Sequence, residues 1–451
     1  MFNKVLVANR GAVAARVLRA LQEMGIASVA VYSEADQNAP YLELASETLL
    51  LGPAPVRDSY LNQERLLELI EKSGADGVHP GYGFLSENAA FAQKVIDQGV
   101  GFIGPSPRWI DAMGHKTRAR ALAAEHGMPM AKGSSVLGAD LLPEQLQAIA
   151  HDIGFPVLVK PAGGGGGIGM LPALEAGELM GAIERSRSLA SRGFGSQEVY
   201  LEKLFVRPRH VEFQLLGDQH GHLRHLYERD CSTQRRNQKV IEEACAPGLE
   251  RGPVNALAEK IATIMRGLGY DNIGTVEMLM DEQGAFHFLE MNTRLQVEHG
   301  VTEAITGVDL VQAQIRCAAG LRLTDILPQT IDIQGHAIQA RVYAEDPKNF
   351  YPSPGTLTAF QIPVGTGIRV ETGYRQGQVV TPYYDPMMAK VIVKAANRPA
   401  AIQGLIEALE RFDIQGLKHN IPALLTILRS EAFQSGRVHT GLMPELFTKK
   451  K

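Results

Sequence analysis

From Glu290 to Glu298 the chain reads Glu-Met-Asn-Thr-Arg-Leu-Gln-Val-Glu, and every second residue carries a strong polar or charged group. In an extended segment, period-2 alternation places one row on a single surface: Glu290, Asn292, Arg294, Gln296 and Glu298. An ordinary solvent-facing strand is the alternative, but such faces favour Lys, Thr and Ser, and Asn is uncommon in strands. The row offers oxygen ligands for Mg²⁺, a cation for an anionic reactant and a carboxylate base. It therefore indicates metal-assisted phosphoryl chemistry.

A second acid precedes this row by one short hairpin. Gly274-Thr275-Val276-Glu277 has the pattern of a strand, so Glu277 and Glu290 are predicted to face each other across neighbouring strands. Two carboxylates, with Asn292 as a third oxygen donor, could share divalent ions. Paired acids can also be purely structural, but their spacing from the polar row favours a metal site.

Composition limits the class of protein. The 451 residues are 45% hydrophobic with a net charge of -4, which predicts a soluble chain of two to four domains. No Lys/Arg-rich run is present, which argues against a nucleic-acid partner. The three cysteines are well separated, which favours a reducing cytoplasm over secretion. The apolar start is too short for a signal peptide and no long apolar run follows, so no membrane segment is expected.

The first hundred residues alternate between strand and helix patterns. Apolar runs at 4–8 and 28–32 flank a helical pattern over 12–24, which is the opening of a parallel α/β sheet. The dinucleotide fingerprint GxGxxG is missing, so a classical NAD site is disfavoured. A turn-rich stretch at 104–107 is a candidate domain boundary, and strand patterns become more frequent after Gly335. The fold class is therefore mixed, α/β followed by α+β.

Five consecutive glycines, Gly163 to Gly167, follow a predicted strand that ends at Lys160. A flexible linker is one explanation. The setting favours a lid, because a backbone without side chains can close over a polyphosphate and donate N–H groups to it. The Walker A order is absent, so this would be another kind of nucleotide lid. Lys116 and Lys160 are natural phosphate cations, although either alone could be a solvated surface lysine.

The segment from Glu228 to Lys239 is dense in charges and amides and has no clear amphipathic period. We interpret it as a loop built around an anion, with a surface ion-pair network as the alternative. Cys231 within it is expected to be a packed thiol rather than a nucleophile. His79 and His299 are expected to be structural, because no metal-binding spacing accompanies them.

Several motifs together are too specific for composition alone. They are Asn-Arg-Gly at 9–11, His-Pro-Gly-Tyr-Gly-Phe-Leu-Ser-Glu-Asn at 79–88, the glycine run, Arg-Asp-Cys-Ser-Thr-Gln-Arg-Arg at 229–236 and Glu-Met-Asn-Thr-Arg-Leu-Gln-Val-Glu-His at 290–299. The chain resembles biotin carboxylase, an ATP-grasp family in which ATP phosphorylates bicarbonate and the carboxyphosphate carboxylates biotin. The resemblance implies a Rossmann-like N-terminal domain (1–114), an ATP-grasp domain (115–335, with a mobile lid at about 131–205) and a mixed α+β C-terminal domain (336–451).

The resemblance also implies roles for individual residues. ATP would be held by Lys116, Lys160, Gly166, Gly167, Glu202, Lys203, Leu204, His210, Gln234, Asn237, Glu277 and Glu290. Mg²⁺ or Mn²⁺ would be held by Glu277, Glu290 and Asn292. Bicarbonate would be surrounded by Lys239, Arg294, Gln296, Val297 and the base Glu298. Arg341, on the alternating strand 336–343, would stabilise the biotin enolate, and Tyr82 would lie near biotin. The catalytic set is thus Lys239, Arg294, Glu298 and Arg341.

The chain departs from the usual family pattern at five positions: Ala12, His115, Ile168, Asn237 and Gly300. Three of these, at 168, 237 and 300, look more like the module of urea-carboxylase-type enzymes, which leaves the final carboxyl acceptor open between an acyl-CoA such as acetyl-CoA, with a role in fatty acid biosynthesis, and urea or another amide. No Met-Lys-Met biotinylation segment is present. The pattern therefore implies a biotin carboxyl carrier protein and a separate carboxyltransferase subunit, while relatives of this kind are often homodimers. Two rivals are another ATP-grasp ligase and a non-catalytic nucleotide-binding regulatory subunit.

Overall fold

The N-terminal part of the chain forms a parallel sheet with helices packed against it. The computed structural model describes residues 1–138, 140–163 and 169–448. The elements are β1 (Lys4–Val7), α1 (Gly11–Glu23), β2 (Ala27–Ser33), β3 (Glu47–Gly52), α2 (Gln63–Ser73), β4 (Gly77–His79), α3 (Ala89–Asp97), β5 (Gly101–Phe102) and α4 (Pro107–Gly114). The strand order is β3-β2-β1-β4-β5, with every neighbouring pair parallel. The predicted parallel α/β opening of the fold is confirmed.

A smaller unit follows, within the range for which the family resemblance predicts a lid. Its elements, together with the helix that leads into it, are α5 (Lys116–Glu125), α6 (Pro143–Ile153), β6 (Val157–Pro161), β7 (Leu171–Ala173), α7 (Leu179–Phe194) and β8 (Val199–Lys203). The antiparallel sheet β7-β6-β8 encloses its own apolar core, with Leu146, Val157, Ile183 and Leu201 among the buried residues. The predicted phosphate-binding glycines Gly166 and Gly167 lie outside the described residues.

The rest of the chain is organised around one large antiparallel sheet. Its elements are β9 (Arg209–Gly217), β10 (Leu223–Arg235), β11 (Gln238–Ala244), α8 (Arg251–Leu268), β12 (Asn272–Met280), β13 (Phe286–Asn292), α9 (His299–Thr306), α10 (Leu310–Ala318), α11 (Leu323–Ile326), β14 (His336–Tyr343), β15 (Gly355–Thr356), β16 (Ala359–Gln361), β17 (Ile368–Thr372), β18 (Val379–Val380), β19 (Met387–Ala395), α12 (Arg398–Glu410), β20 (Asp413–Gln415), α13 (Ile421–Arg429), α14 (Glu431–Gln434) and α15 (Leu442–Phe447). The strand order is β13-β12-β9-β10-β11-β14-β19-β17. This sheet contains strands from both sides of the predicted domain boundary at residue 335, because β11 pairs with β14.

The predicted loop between Glu228 and Lys239 is wrong. The segment forms the end of β10 and the start of β11, joined by a two-residue turn at Arg236 and Asn237, both with positive φ. Such paired positive φ values are typical of tight hairpins and favour Asn. The segment lacks an apolar alternation because its buried side chains are satisfied by ion pairs instead, as with Arg229 and Asp230.

Among the described residues, no helix combines the length and the apolar character that crossing a membrane requires.

Candidate active site

A cavity of about 420 Å³ opens between the small lid sheet and the large sheet. Apolar side chains form part of its wall, including Leu158, Met170, Phe205 and Leu279. The predicted site residues that line it are Lys116, Lys160, Glu202, Lys203, Leu204, His210, Gln234, Asn237, Lys239, Glu277, Glu290, Asn292, Arg294, Gln296, Val297 and Arg341. The cavity therefore gathers side chains from segments that are far apart in the sequence, from Lys116 to Arg341. Glu298 and Tyr82 are not among its lining residues.

The predicted pair of acids is present. Glu277 on β12 lies directly opposite Glu290 on β13 in the strand register, and Asn292 lies opposite Thr275. Glu277 Oε1 accepts hydrogen bonds from Asn292 (2.7 Å) and Lys239 (2.7 Å). Burial disfavours its charge, but Lys239 and His210 outweigh this effect and hold the pKa of Glu277 well below its usual value. This carboxylate is therefore ionised at neutral pH.

The predicted continuous ribbon from Glu290 to Glu298 is only half right. The strand ends at Asn292, the chain turns, and α9 begins at His299 with Glu298 as its N-cap residue. The row nevertheless converges, because Arg294 donates to Asn292 Oδ1 (2.7 Å) and to Gln296 Oε1 (2.8 Å). Hydrogen bonds across the turn, rather than strand alternation, therefore bring these polar side chains together.

Glu298 lies beneath the floor of the cavity and its side chain is fully buried. Its Oε1 accepts from Lys239 Nζ (2.7 Å) and its Oε2 accepts from Arg341 Nη2 (2.9 Å). Burial would raise the pKa of Glu298, but Lys239 and Arg341 override it and keep that pKa well below the usual range. A carboxylate held between two cations is thus poised at one end of the cavity.

The cations of this cluster are held by buried acids that the sequence analysis missed. Glu212 binds both Lys239 and the fully buried Arg229, and Glu242 accepts from Arg341 Nε (2.5 Å). Burial disfavours the charge of Lys239, yet Glu212, Glu277 and Glu298 raise the pKa of Lys239 well above its usual value. Nothing in the local pattern distinguishes these acids, since Glu212 and the adjacent pair Glu242 and Glu243 lie within ordinary strands.

Glu87 is a further residue whose role the sequence analysis missed. It belongs to the N-terminal Ser-Glu-Asn motif, yet its Oε2 accepts from Arg294 Nε (2.8 Å) and its Oε1 accepts from the Thr293 N–H (3.1 Å). Its place within the motif at 79–88 was the one signal in the sequence that could have indicated a role for Glu87. The contact fixes the N-terminal sheet against the turn that carries the polar row.

The other end of the cavity carries the groups predicted for a nucleotide. Lys160 is buried and donates to Glu202 Oε2 (2.8 Å), and Lys116 Nζ lies 3.6 Å from Glu290 Oε2. Burial would raise the pKa of Glu202, but Lys160 and Arg120 lower it below the usual value. Neither lysine is a solvated surface lysine, since both are paired with acids, and their role as phosphate cations stays a prediction.

Two further predicted nucleotide residues, Lys203 and Leu204, lie where β8 ends. The Lys203 ammonium turns away and donates to the carbonyls of Gly154 (2.9 Å) and Phe155 (2.8 Å). The Leu204 N–H donates to Pro156 O (3.0 Å). Only the backbone and the aliphatic part of Lys203 are thus available to the cavity.

His210 and Gln234 stand between the nucleotide end of the cavity and the acidic cluster. His210 Nε2 lies 2.9 Å from Glu277 Oε2, and its Nδ1 lies 2.9 Å from Gln234 Nε2. Asn237 is exposed at the hairpin tip and lines the cavity rim. These three residues therefore follow one wall from rim to floor.

Tyr82 lies behind the cavity rather than in it. Its ring centroid is 5.8 Å from Lys390 Nζ, and its hydroxyl is buried without a hydrogen-bond partner among the described residues. Burial, with Glu371 next, raises the pKa of Tyr82 well above its usual value. This hydroxyl is therefore protonated, and it is enclosed by the protein behind the cavity.

The cysteine and the two histidines that were expected to be packed or structural are all buried. Burial raises the pKa of Cys231 well above its usual value, with Glu212 adding to the effect, so the thiol is protonated. Burial lowers the pKa of His79 to about 3 and that of His299 well below its usual value. All three cysteines are buried and free of disulfides.

The donor set fits a hard divalent cation. Glu277, Glu290 and Asn292 offer two carboxylates and an amide oxygen on adjacent strands, which is the chemistry that Mg²⁺ prefers. Asn292 Oδ1 accepts from Arg294, and Glu277 accepts from Lys239. A bound cation would therefore take over contacts that the two basic side chains now make.

An antiparallel lid sheet and a large antiparallel sheet, enclosing a cavity lined by lysines and paired acids, define an ATP-dependent ligase of the ATP-grasp class. Family models match nearly the whole chain: "Biotin carboxylase, N-terminal domain" over residues 1–110, "Carbamoyl-phosphate synthase L chain, ATP binding domain" over 115–326, and "Biotin carboxylase C-terminal domain" over 339–445. The chain belongs to the biotin carboxylase family.

Individual relatives agree with this assignment. Biotin carboxylase 2 of Bacillus subtilis is 46% identical over 99% of this chain and 100% of its own length. The biotin carboxylase of Allochromatium vinosum is 45% identical over 97% of this chain and 96% of its own. The biotin carboxylase domain dimer of Hydrogenobacter thermophilus 2-oxoglutarate carboxylase, solved with MgADP, ADP and bicarbonate, superposes with a TM-score of 0.94 at 42% identity, covering 100% of both chains. The predictions of family, fold class and ATP-dependent ligase activity are confirmed.

Proposed function

We propose that the cavity brings MgATP and bicarbonate together for the first half-reaction of a biotin-dependent carboxylase. The observation that carries the proposal is the placement of Glu298, buried between Lys239 and Arg341 at one end of the cavity, with Glu277 sharing the same lysine. Bicarbonate is a weak nucleophile beside a polyanion, so cations must gather both reactants and a carboxylate must accept the proton. The Hydrogenobacter domain, solved with MgADP and bicarbonate, supports the same pair of ligands here.

The nucleotide would lie against the apolar wall near Phe205 and Leu279, with its phosphates directed at Lys116 and Lys160. Compact ammonium groups suit phosphate oxygens, and both lysines would exchange their present carboxylate partners for phosphate. The backbone at Lys203 and Leu204 and the side chains of Glu202, His210, Gln234 and Asn237 would complete the site. Gly166 and Gly167 remain proposed phosphate donors of the lid.

Glu277, Glu290 and Asn292 would hold Mg²⁺ or Mn²⁺, which when bound supplies positive charge to the phosphate oxygens. The contribution of the protein is to keep Glu277 ionised through Lys239 and His210 and to fix Glu290 opposite it. Both acids are therefore in place before a cation arrives.

Bicarbonate would bind among Lys239, Arg294, Gln296 and Val297. Its oxygens would draw Lys239 and Arg341 away from Glu298, whose pKa those two cations now depress. With its cationic partners shared, Glu298 becomes a stronger base and takes the proton of the bicarbonate hydroxyl. The oxygen that loses this proton forms the new bond to the γ-phosphorus, and the bond from that phosphorus to ADP breaks.

Arg341 would then stabilise the enolate oxygen of biotin as the ureido nitrogen is carboxylated. Its guanidinium lines the cavity and stays anchored through Nε to Glu242 while Nη2 faces Glu298. Tyr82 would stand near the biotin ring. This proposal is supported by its buried hydroxyl, which has no hydrogen-bond partner among the residues that the structure describes.

The carboxyl acceptor would be chosen by a separate carboxyltransferase, reached through a biotin carboxyl carrier protein. Relatives that match over nearly their whole length carry names from more than one carboxylase, including one for 2-oxoglutarate, which supports a half-reaction common to several acceptors. Acetyl-CoA or another acyl-CoA therefore stays a proposal. The Hydrogenobacter domain was solved as a dimer, which supports a homodimer here. A cytoplasmic location is supported by the three unpaired cysteines.

We also propose the predicted domain limits of 1–114, 115–335 and 336–451. The three family models, which match residues 1–110, 115–326 and 339–445, support these limits. Three rivals are not favoured: a urea-carboxylase-like component, another ATP-grasp ligase and a non-catalytic regulatory subunit. The full-length relatives named as biotin carboxylases and the intact charge cluster around Glu298 both argue against them.

Phosphate release from purified protein tests the proposal. With ATP and Mg²⁺, release should require bicarbonate and should rise further with free biotin. Release that ignores bicarbonate, or that needs a different carboxylate substrate, would contradict it.

A further inference from the structure

Lys390 on β19 is a fully buried lysine that the predicted reaction does not use. Its ammonium donates to the carbonyl of Val297 (2.8 Å) and pairs with Glu371 Oε2 (2.5 Å). Burying an ammonium is costly unless it is paired and hydrogen-bonded. Glu371 explains the pairing, but the contact with Val297 places the charge directly beneath the turn that carries the polar row.

A second buried side chain holds the same turn. His299 Nδ1 lies 2.6 Å from the carbonyl of Gln296. The carbonyls of Gln296 and Val297, the two residues before Glu298, are therefore each fixed by a side chain on the side away from the cavity. A turn held in this way cannot tilt without breaking a buried polar contact.

We propose that Lys390 is a positioning residue, which fixes the turn from Gln296 to Glu298 so that it presents a preformed surface to bicarbonate. This inference rests on the proposed function and deepens it by naming a residue that holds the bicarbonate site in place. Lys390 contacts no reactant and acts through the Val297 backbone. Displacement of catalytic groups by about 1 Å can lower a rate roughly a hundredfold, so a residue that prevents such displacement matters.

A purely structural explanation is that Lys390 only neutralises Glu371, which also pairs with Arg369 and approaches Arg16 Nε at 3.9 Å. The two explanations separate in a double variant. Lys390→Met leaves both the Val297 carbonyl and Glu371 without their lysine. Lys390→Met combined with Glu371→Gln removes the stranded charge but leaves the Val297 carbonyl unsupported.

The test measures the KM of bicarbonate and the KM of ATP in bicarbonate-dependent phosphate release, for wild type, Lys390→Met and the double variant. Lys394→Met is the matched control, because it makes the same change on the same strand and face, in the groove beside Gly367 and Arg369. We expect the bicarbonate KM to rise at least about tenfold in both Lys390 variants, the scale of a lost charged hydrogen bond, with the ATP KM within about twofold. The control should match wild type.

Three results would overturn the inference. They are a normal bicarbonate KM in Lys390→Met, recovery of that KM in the double variant, and equal losses for ATP and bicarbonate. If Lys390→Met does not fold, the double variant decides between the explanations by the same KM. Failure of the proposed function itself is distinct, because wild type would then show no bicarbonate dependence at all.

Discussion

Replacing Glu298 by Gln tests the proposed base most directly. The two side chains have nearly the same shape, so the change removes a charge and one acceptor while leaving the packing. Glu298 accepts from Lys239 at 2.7 Å and from Arg341 at 2.9 Å. An amide can accept from only one of them and must point its NH₂ group at the other.

The expected effects on the rate and on stability are worked out separately. A positioned general base contributes about 10²–10⁴ in rate. We therefore expect a loss of about a thousandfold in bicarbonate-dependent ATP cleavage, or about 4 kcal/mol. Stability changes less, because Lys239 retains Glu212 and Glu277, and Arg341 retains Glu242. The lost charged contact lowers the free energy of unfolding by about 1–3 kcal/mol.

The assay compares phosphate release with nucleotide affinity in the same preparation. ATP affinity should stay close to wild type, because the nucleotide lysines Lys116 and Lys160 make no contact with Glu298. Glu243→Gln is the matched control, since Glu243 on β11 is likewise buried and is paired with two basic side chains, Arg398 and His336. The control should lose stability without a comparable loss of bicarbonate-dependent cleavage.

Two outcomes would refute the assignment of the base. One is a Glu298→Gln variant that keeps more than about a tenth of its bicarbonate-dependent rate, since general bases contribute at least about a hundredfold. The other is an equal loss of ATP affinity, which would mean that the carboxylate supports the whole cavity.

Other substitutions test separate parts of the structure. Arg341→Ala should reduce biotin carboxylation more than biotin-independent ATP cleavage, and equal losses in the two assays would count against its role with biotin. Burial raises the pKa of Glu345 to about 7 from 4.5, so the folded protein binds this proton more tightly and loses stability as pH rises between those values. In thermal melts, the melting temperature of Glu345→Gln should therefore rise relative to that of wild type from pH 5 to pH 8. A difference in melting temperature that does not change with pH would exclude the effect. A Cβ at Gly300 would stand 2.4 Å from Ile392 Cδ1, so Gly300→Ala should cost about 1–2 kcal/mol in denaturant unfolding. Adding Ile392→Val, which removes that atom, should recover most of the cost, and no recovery would point to a backbone cause.

The sequence alone determined those features that are formed by segments adjacent along the chain. The parallel N-terminal sheet followed from apolar runs separated by a helical pattern, and the strand at His336–Tyr343 has the predicted bounds. The opposition of Glu277 and Glu290 followed from one short hairpin. Pairing between adjacent strands is a local property, because the hairpin sets the register of both strands. Local periodicity was therefore sufficient to predict this part of the site.

The tertiary structure decided which charges are buried together. The hairpin at 228–239 looked like a loop because its buried Arg229 and Asp230 find partners on another strand, at Glu212 and Arg209. Glu242 and Lys390 look ordinary until the fold places them beneath the cavity. The depressed pKa of Glu298 likewise depends on cations 59 and 43 residues away in sequence. Electrostatic energies depend on distance and desolvation in space, and a one-dimensional pattern contains neither.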